Sequence, residues 1–286
     1  MFPIGKAVPA LPFEKWRGIE YTGDGGIRRL KAIDSMRRDW NERARHNAFL
    51  YIASWRHDWT EESFFASGEA DVQRIVHPIL EKLHLNSSVS SMAELGCGAG
   101  RMTRAFAKQF QSVTAIEISE EMQRKAQKYL ADFSNVRWVL VDGVALAAIE
   151  SSSLDFVFSY MVLQHYPSDE LIAASVREML RIVRPGGAFL FHFNGSNRPT
   201  MNWKGRAVSS FLDSLCTIGL KRPAQALARA AGIDPEMIGK TWRGVALKSD
   251  EVESMVREAG GVPAGFEGLD TPFAWCFGRK APQTIS

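Results

Sequence analysis

The chain has 286 residues, 45% hydrophobic and 23% charged, a balance that supports an ordinary globular core without staples. A net charge of +3 and an isoelectric point near 8.8 are too mild to argue for nucleic acid as a partner. The three cysteines, Cys97, Cys216 and Cys276, lie far apart with no C-x-x-C pair. That excludes a disulfide framework and a zinc ribbon and fits a reducing cytosol.

No apolar run approaches the ~20 residues of a membrane helix, and "MFPIGKAVPALPFEKW" lacks the apolar stretch of a signal peptide. The expected location is therefore cytoplasmic. Residues 1–26, rich in Pro and Gly, read as irregular. From Ile27 to Trp59 the residues Leu30, Ile33, Met36, Trp40, Ala44, Phe49 and Ile52 recur at helical spacing. The basic residues crowded there (Arg28, Arg29, Lys31, Arg37, Arg38, Arg43, Arg45) read as its solvated face. A second helix is expected over Glu69–Leu83, with Pro78 as a source of a kink.

After "NSSVSS" the rhythm changes. Strands are expected at 91–96, 113–118, 136–141, 154–161 and 187–193. Helices are expected between them at 101–110, at 119–133 with Ser119 as N-cap, and at 168–183 with Ser168 as N-cap. Near-continuous apolar strands alternating with helices predict a mostly parallel sheet covered on both faces. Residues 197–247 break the alternation and read as helices and loops. A last helix, capped by Ser249 and stopped by Gly260, precedes two closing strands within 262–280.

The chemistry begins at "AELGCGAGR", residues 93–101. Gly96, Gly98 and Gly100 follow a buried strand and precede a helix, where free backbone N–H groups face a ligand. The spacing is neither G-x-G-x-x-G nor a Walker loop. Glu117 ends the second strand, where a carboxylate can accept both hydroxyls of a ribose. A carboxylate closing an apolar strand is costly unless it is paired. Asp142, after the third strand, can accept from an adenine amine, and Gly143 offers a backbone N–H beside it.

The order ELGCGAGR, AIEIS, VDG, LDFVFSYMVLQHYP and RPGGAFLFHF resembles the class I S-adenosylmethionine-dependent methyltransferases. Within them it is most similar to the small-molecule branch of ubiquinone- and biotin-pathway type. The resemblance covers residues 90–196 well and 248–280 more loosely. It implies a Rossmann-like, seven-stranded α/β sheet of order 3-2-1-4-5-7-6 with strand 7 antiparallel. It implies S-adenosyl-L-methionine as cofactor and S-adenosyl-L-homocysteine as product. The three glycines would let the backbone approach the methionine portion, and Glu94 would sit near its amino group or orient the loop. Glu117 would hold the ribose, Ile118 would pack on the adenine, and Asp142 and Gly143 would read its edge. Tyr160 and Met161 would line the sulfonium side. Arg101 has two readings, a reach to the cofactor carboxylate or a place in a solvent-facing helical turn.

The domain reading is a helical extension or lid over 1–88 and a cofactor-binding domain over 89–286, with a helical lid insert at 197–247. The acceptor is expected to be a small, partly apolar metabolite carrying an O, N, S or C nucleophile. Its candidate walls are Trp40, Tyr51, Trp55, Trp59, Phe64 and Phe65, with Trp203, Phe211 and Trp242 from the insert. His165, in "LQHYP", is the candidate general base and Tyr51 its rival. No metal site is expected, nor any membrane partner, and the oligomeric state is open. Two alternatives stand beside this reading. One is a macromolecular methyltransferase that grips RNA or protein with the basic helix. The other is a catalytically inactive cofactor-binding regulator.

Overall fold

In the computed structural model the described residues are 23–85, 91–195 and 245–282, with parts of 208–238. The described residues open with α1 (Gly23–Ile52), which bends at Asn47 (φ −161°, ψ 92°). The Asn47 side chain accepts the Leu50 N–H at 3.1 Å, so the residue that breaks the helix also restarts it as a cap. The helix ends at Ile52, short of the expected Trp59. Trp59 instead donates its indole N–H to the Ala53 carbonyl at 2.7 Å and pins the turn that follows.

The next helix starts earlier than its periodicity suggested. Thr60 caps α2 (Glu61–Asp71) in a reciprocal box with Ser63. Phe64, Phe65 and Gly68 are all buried along it, which obscures any single apolar stripe. A π-helical turn, Val72–Val76, joins α2 to α3 (His77–Lys82). Pro78 has no N–H to donate, and the ladder resets through the wide turn just before it. Val72, Val76, Ile79, Leu80 and Leu83 are buried.

The sheet has β1 (Ser91–Leu95), β2 (Ser112–Glu117), β3 (Val136–Leu140), β4 (Leu154–Ser159), β5 (Val183–Phe193), β6 (Gly261–Glu267) and β7 (Ala274–Lys280). Their order is 3-2-1-4-5-7-6. The pairs β3–β2, β2–β1, β1–β4 and β4–β5 are parallel, and β7 lies antiparallel between β5 and β6. Alternate residues feed two cores. Ala93, Val157, Phe189 and Phe191 point to one face, covered by α6 (Asp169–Ile182). Met92, Phe156, Phe158 and Leu190 point to the other, covered by α4 (Thr103–Ala107) and the π turn.

Ser119 caps α5 (Glu120–Tyr129) and Ser168 caps α6, as read from the sequence. Between β5 and β6 the described elements include α7 (Lys221–Ala230) and α8 (Ser249–Glu258). Ser249 opens α8 rather than capping it. Lys248 holds the cap position, with its N–H bonded to Glu251 Oε2 at 2.7 Å.

Candidate active site

The glycine turn after β1 is fastened to β2 by its backbone. The N–H groups of Gly96 and Cys97 both donate to the Ile116 carbonyl, at 2.8 and 3.0 Å. Gly98 N–H turns inward and donates to Glu117 Oε2 at 2.8 Å. Gly98 (φ +56°) also lies under the end of α1, where an added Cβ would stand 2.8 Å from the Ile52 methyl.

Glu117 is buried at the end of β2. Its Oε1 accepts from the N–H of Ile118 and of Ser119, both at 2.9 Å. Burial pushes its carboxyl above the usual range, and the three backbone donors oppose the rise. The strand-ending carboxylate is thus compensated by peptide dipoles rather than by a cation.

Glu94, buried on β1, accepts from Thr103 Oγ1 at 2.6 Å. Burial raises its carboxyl to about 8; the Thr103 hydroxyl and Arg101 pull it down and Glu117 pushes it up. Arg101 is buried as well, which removes its solvent-facing reading. It pairs with Asp71 at 2.8 Å, donates to Ser67 Oγ at 3.2 Å and lies 5.4 Å from the Trp55 ring centre. Arg74 holds the same carboxylate at 2.7 Å. Tyr160 completes this group, hydrogen-bonded to Arg74 and stacked on Trp275 at 5.0 Å. Burial raises the Tyr160 hydroxyl's pKa.

A single cavity gathers these groups at the C-terminal ends of β1, β2 and β4. Glu94, Arg101, Tyr160, Met161, Ile118, Val141 and Gly143 line it together with Gly96, Gly98 and Glu117. Met36, Trp40 and Tyr51 of α1, and Ser54 just after it, complete the wall. Met161 carries left-handed backbone (φ 59°), a conformation costly for a side chain of its size. Two expected residues are not in the wall. Asp142 is exposed beside Gly143, and Gly100 faces α5, where a Cβ would meet Leu130 at 2.9 Å.

His165 and Tyr51 both line the cavity and are buried. His165 closes a 3₁₀ turn, Leu163–His165, with its ring edge-on to Trp40 at 5.3 Å. The Gln164 amide nitrogen lies 3.3 Å from its Nε2. The Arg43 guanidinium lies 5.0 Å from the Trp40 ring centre and 5.5 Å from that of Tyr51. Arg43 is buried and paired with Asp39 at 2.9 Å, so it does not belong to the solvated face assigned to the basic segment.

Other expected walls belong to the core or the surface. Phe64 and Phe65 are fully buried against Phe49 and Tyr129, and Trp55 and Phe211 are exposed. Trp203 and Trp242 lie outside the described residues. Among the described residues, no three His, Cys, Asp or Glu side chains gather as a metal site, and no helix is long and apolar enough to cross a membrane.

Residues 93–191 match the family model described as a methyltransferase domain. The chain thus carries a methyltransferase domain over this stretch. Over 191 residues it is 26% identical to a phosphoethanolamine N-methyltransferase of Triticum aestivum, covering 64% of this chain and 35% of that protein. Over 180 residues it is 25% identical to a ubiquinone biosynthesis O-methyltransferase of Xanthomonas oryzae pv. oryzae, covering 61% and 69%. The chain spans 35%, 30% and 58% of the length of three curated relatives it matches. The fold is shared with magnesium protoporphyrin IX methyltransferase of Synechocystis PCC 6803, solved with bound SAH. The TM-score is 0.55 at 17% identity, over 87% of this chain and 100% of that one.

The matched methyltransferase domain contains the glycine turn, Glu117 and the β4 loop, while α1 and α2 lie outside it. Helix α1 and the turn after it bring Trp40, Tyr51 and Ser54 to the cavity, and α2 brings Asp71 to the lining residue Arg101. Asp71 and Ser54 escaped sequence reading. The one local signal for Asp71, an Arg three residues later, also marks any exposed helical pair.

Proposed function

We propose that this protein transfers the methyl group of S-adenosyl-L-methionine to a small, partly apolar acceptor by direct displacement. The observation that carries the reading is Glu117. It is a buried, acceptor-only carboxylate at the end of β2, hydrogen-bonded to the glycine turn and open to the cavity. The donor set suits that cofactor. Glu117 offers acceptors for a diol, Ile118 and Val141 offer an apolar slot, and Arg101, with a Glu94 that ionises when a cation binds beside it, offers one group of each sign for an amino acid. When bound, the cofactor supplies a methyl already activated by its positive sulfur.

The chain's own part is alignment and exclusion of water. Residues 1–88 and 197–247 act as covers in this reading, and α1 supports it by lining the cavity with Met36, Trp40, Tyr51 and Ile52. His165 takes the acceptor's proton where the nucleophile arrives protonated, with Tyr51 as the alternative. Asp142 is exposed beside the cavity-lining Gly143, and Gly100 supports the loop by its close approach to Ala126 and Leu130. The apolar and aromatic cover favours a small molecule over RNA or protein. The decisive experiment measures S-adenosylhomocysteine release across panels of O-, N-, S- and C-nucleophiles. Turnover with a small metabolite supports the assignment. Turnover with RNA or protein alone overturns it, as does tight cofactor binding with no acceptor at all.

A further inference from the structure

An uncharged polar side chain of α1 reaches α5, and its chemistry is fully assigned. Asn41 Oδ1 lies 2.8 Å from Ser119 Oγ and 3.1 Å from the Glu121 N–H. A backbone N–H can only donate, so the Asn41 atom at that point is the carbonyl oxygen, not the amide nitrogen. Ser119 Oγ accepts from Met122 N–H at 3.2 Å, and its own proton is therefore the one given to Asn41. The Ser119 N–H donates to Glu117 Oε1 at 2.9 Å.

The first turn of α5 is thus capped twice. Its own Ser119 serves Met122, and Asn41 serves Glu121 from another helix. A continuous chain of hydrogen bonds runs from α1 through Ser119 to the cavity-lining carboxylate of Glu117. Ile118 lies between the two linked residues and also lines the cavity. Trp40, the neighbour of Asn41, lines the same cavity. The ion pairs along the same contact, Arg45–Glu121 at 3.0 Å and Arg37–Glu120 at 4.0 Å, are exposed on at least one side and weakly directional.

We infer that Asn41 is a positioning residue for the cofactor. By capping α5 across the helix contact, it fixes the Glu117–Ile118–Ser119 segment and seats Trp40 in the wall of the same cavity. The inference rests on the reading of this cavity as the S-adenosylmethionine site. It places a determinant of cofactor affinity outside the matched domain, on a residue that need not touch the cofactor.

The test compares Asn41→Ala, Asn41→Asp and Arg45→Ala in the full chain. S-adenosylhomocysteine affinity is read by calorimetry, and amide exchange at Glu121 and Met122 is read without ligand. Asn41→Ala should weaken affinity about tenfold, the scale of one lost helix cap, and speed exchange at Glu121. Asn41→Asp keeps the accepting oxygen and places negative charge at a helix N-terminus, so it should restore both. Arg45→Ala should behave as wild type. Wild-type affinity in Asn41→Ala overturns the inference, and so does a folded Asn41→Asp that fails as badly as Ala. Unchanged exchange at Glu121 in Asn41→Ala overturns the cap itself. A wild-type chain that takes up no S-adenosylhomocysteine overturns the methyl-donor reading, while the Glu121 exchange still decides the cap.

Discussion

Gly98 donates its N–H to Glu117 at 2.8 Å, which makes the glycine turn after β1 and the carboxylate ending β2 one unit. The turn presents backbone where a side chain would obstruct, and the carboxylate holds the turn in place. Substitution at Glu117 therefore acts on binding and on loop geometry together.

Glu117→Gln keeps the shape and removes the charge. Its amide nitrogen cannot accept, so one set of backbone donors is left facing a donor. Cofactor affinity should fall by roughly 2–3 kcal/mol, the worth of charge-assisted hydrogen bonds. Calorimetry on the folded variant checks this, and unchanged affinity removes Glu117 from the site.

Glu94 gives the pH dependence. Burial raises its carboxyl to about 8, so at neutral pH it is largely protonated in the free protein. A cationic amino group bound beside it favours the ionised form, so binding releases a proton. Affinity should then rise with pH from about 6.5 to 8 and level above. Calorimetry in buffers of different ionisation enthalpy measures the proton released. Glu94→Gln should abolish both slope and release, and a retained slope would point to another group.

Asp71 holds Arg101 at 2.8 Å in a nearly buried pair. Asp71→Ala leaves a buried guanidinium with one partner fewer and should cost about 3 kcal/mol of stability. Chemical denaturation reads this directly. Asp71→Glu, which keeps the charge, should cost less. Equal losses would show that shape rather than charge matters here.

His165→Ala should lower kcat by roughly 10²–10⁴-fold if the imidazole is the base, while cofactor affinity changes little. Tyr51→Phe is the parallel test of the rival. A His165→Ala enzyme with full kcat would leave alignment as the source of rate.

The strands were legible because each is a short apolar run followed by a helix of different period, whereas their order came from the resemblance to a known family. The caps Ser119 and Ser168 were legible because capping is local chemistry. The glycine turn and Glu117 could be found because a carboxylate ending an apolar strand has few other uses. Helix limits near Asn47, Thr60 and Pro78 were not, because they depend on a reciprocal cap and a π turn that no periodicity announces. Contacts between distant segments decided the rest. Arg43 read as a surface cation and Arg101 as either cofactor-facing or solvent-facing, and folding buries both against acids and aromatic rings. Phe64 and Phe65 read as pocket walls and became core. The sequence by itself determined the nucleotide-binding scaffold, since strand ends, turns and caps are written within a few residues. Only the tertiary structure decided what covers that scaffold, because Asn41 and Ser119 lie 78 positions apart and meet through packing alone.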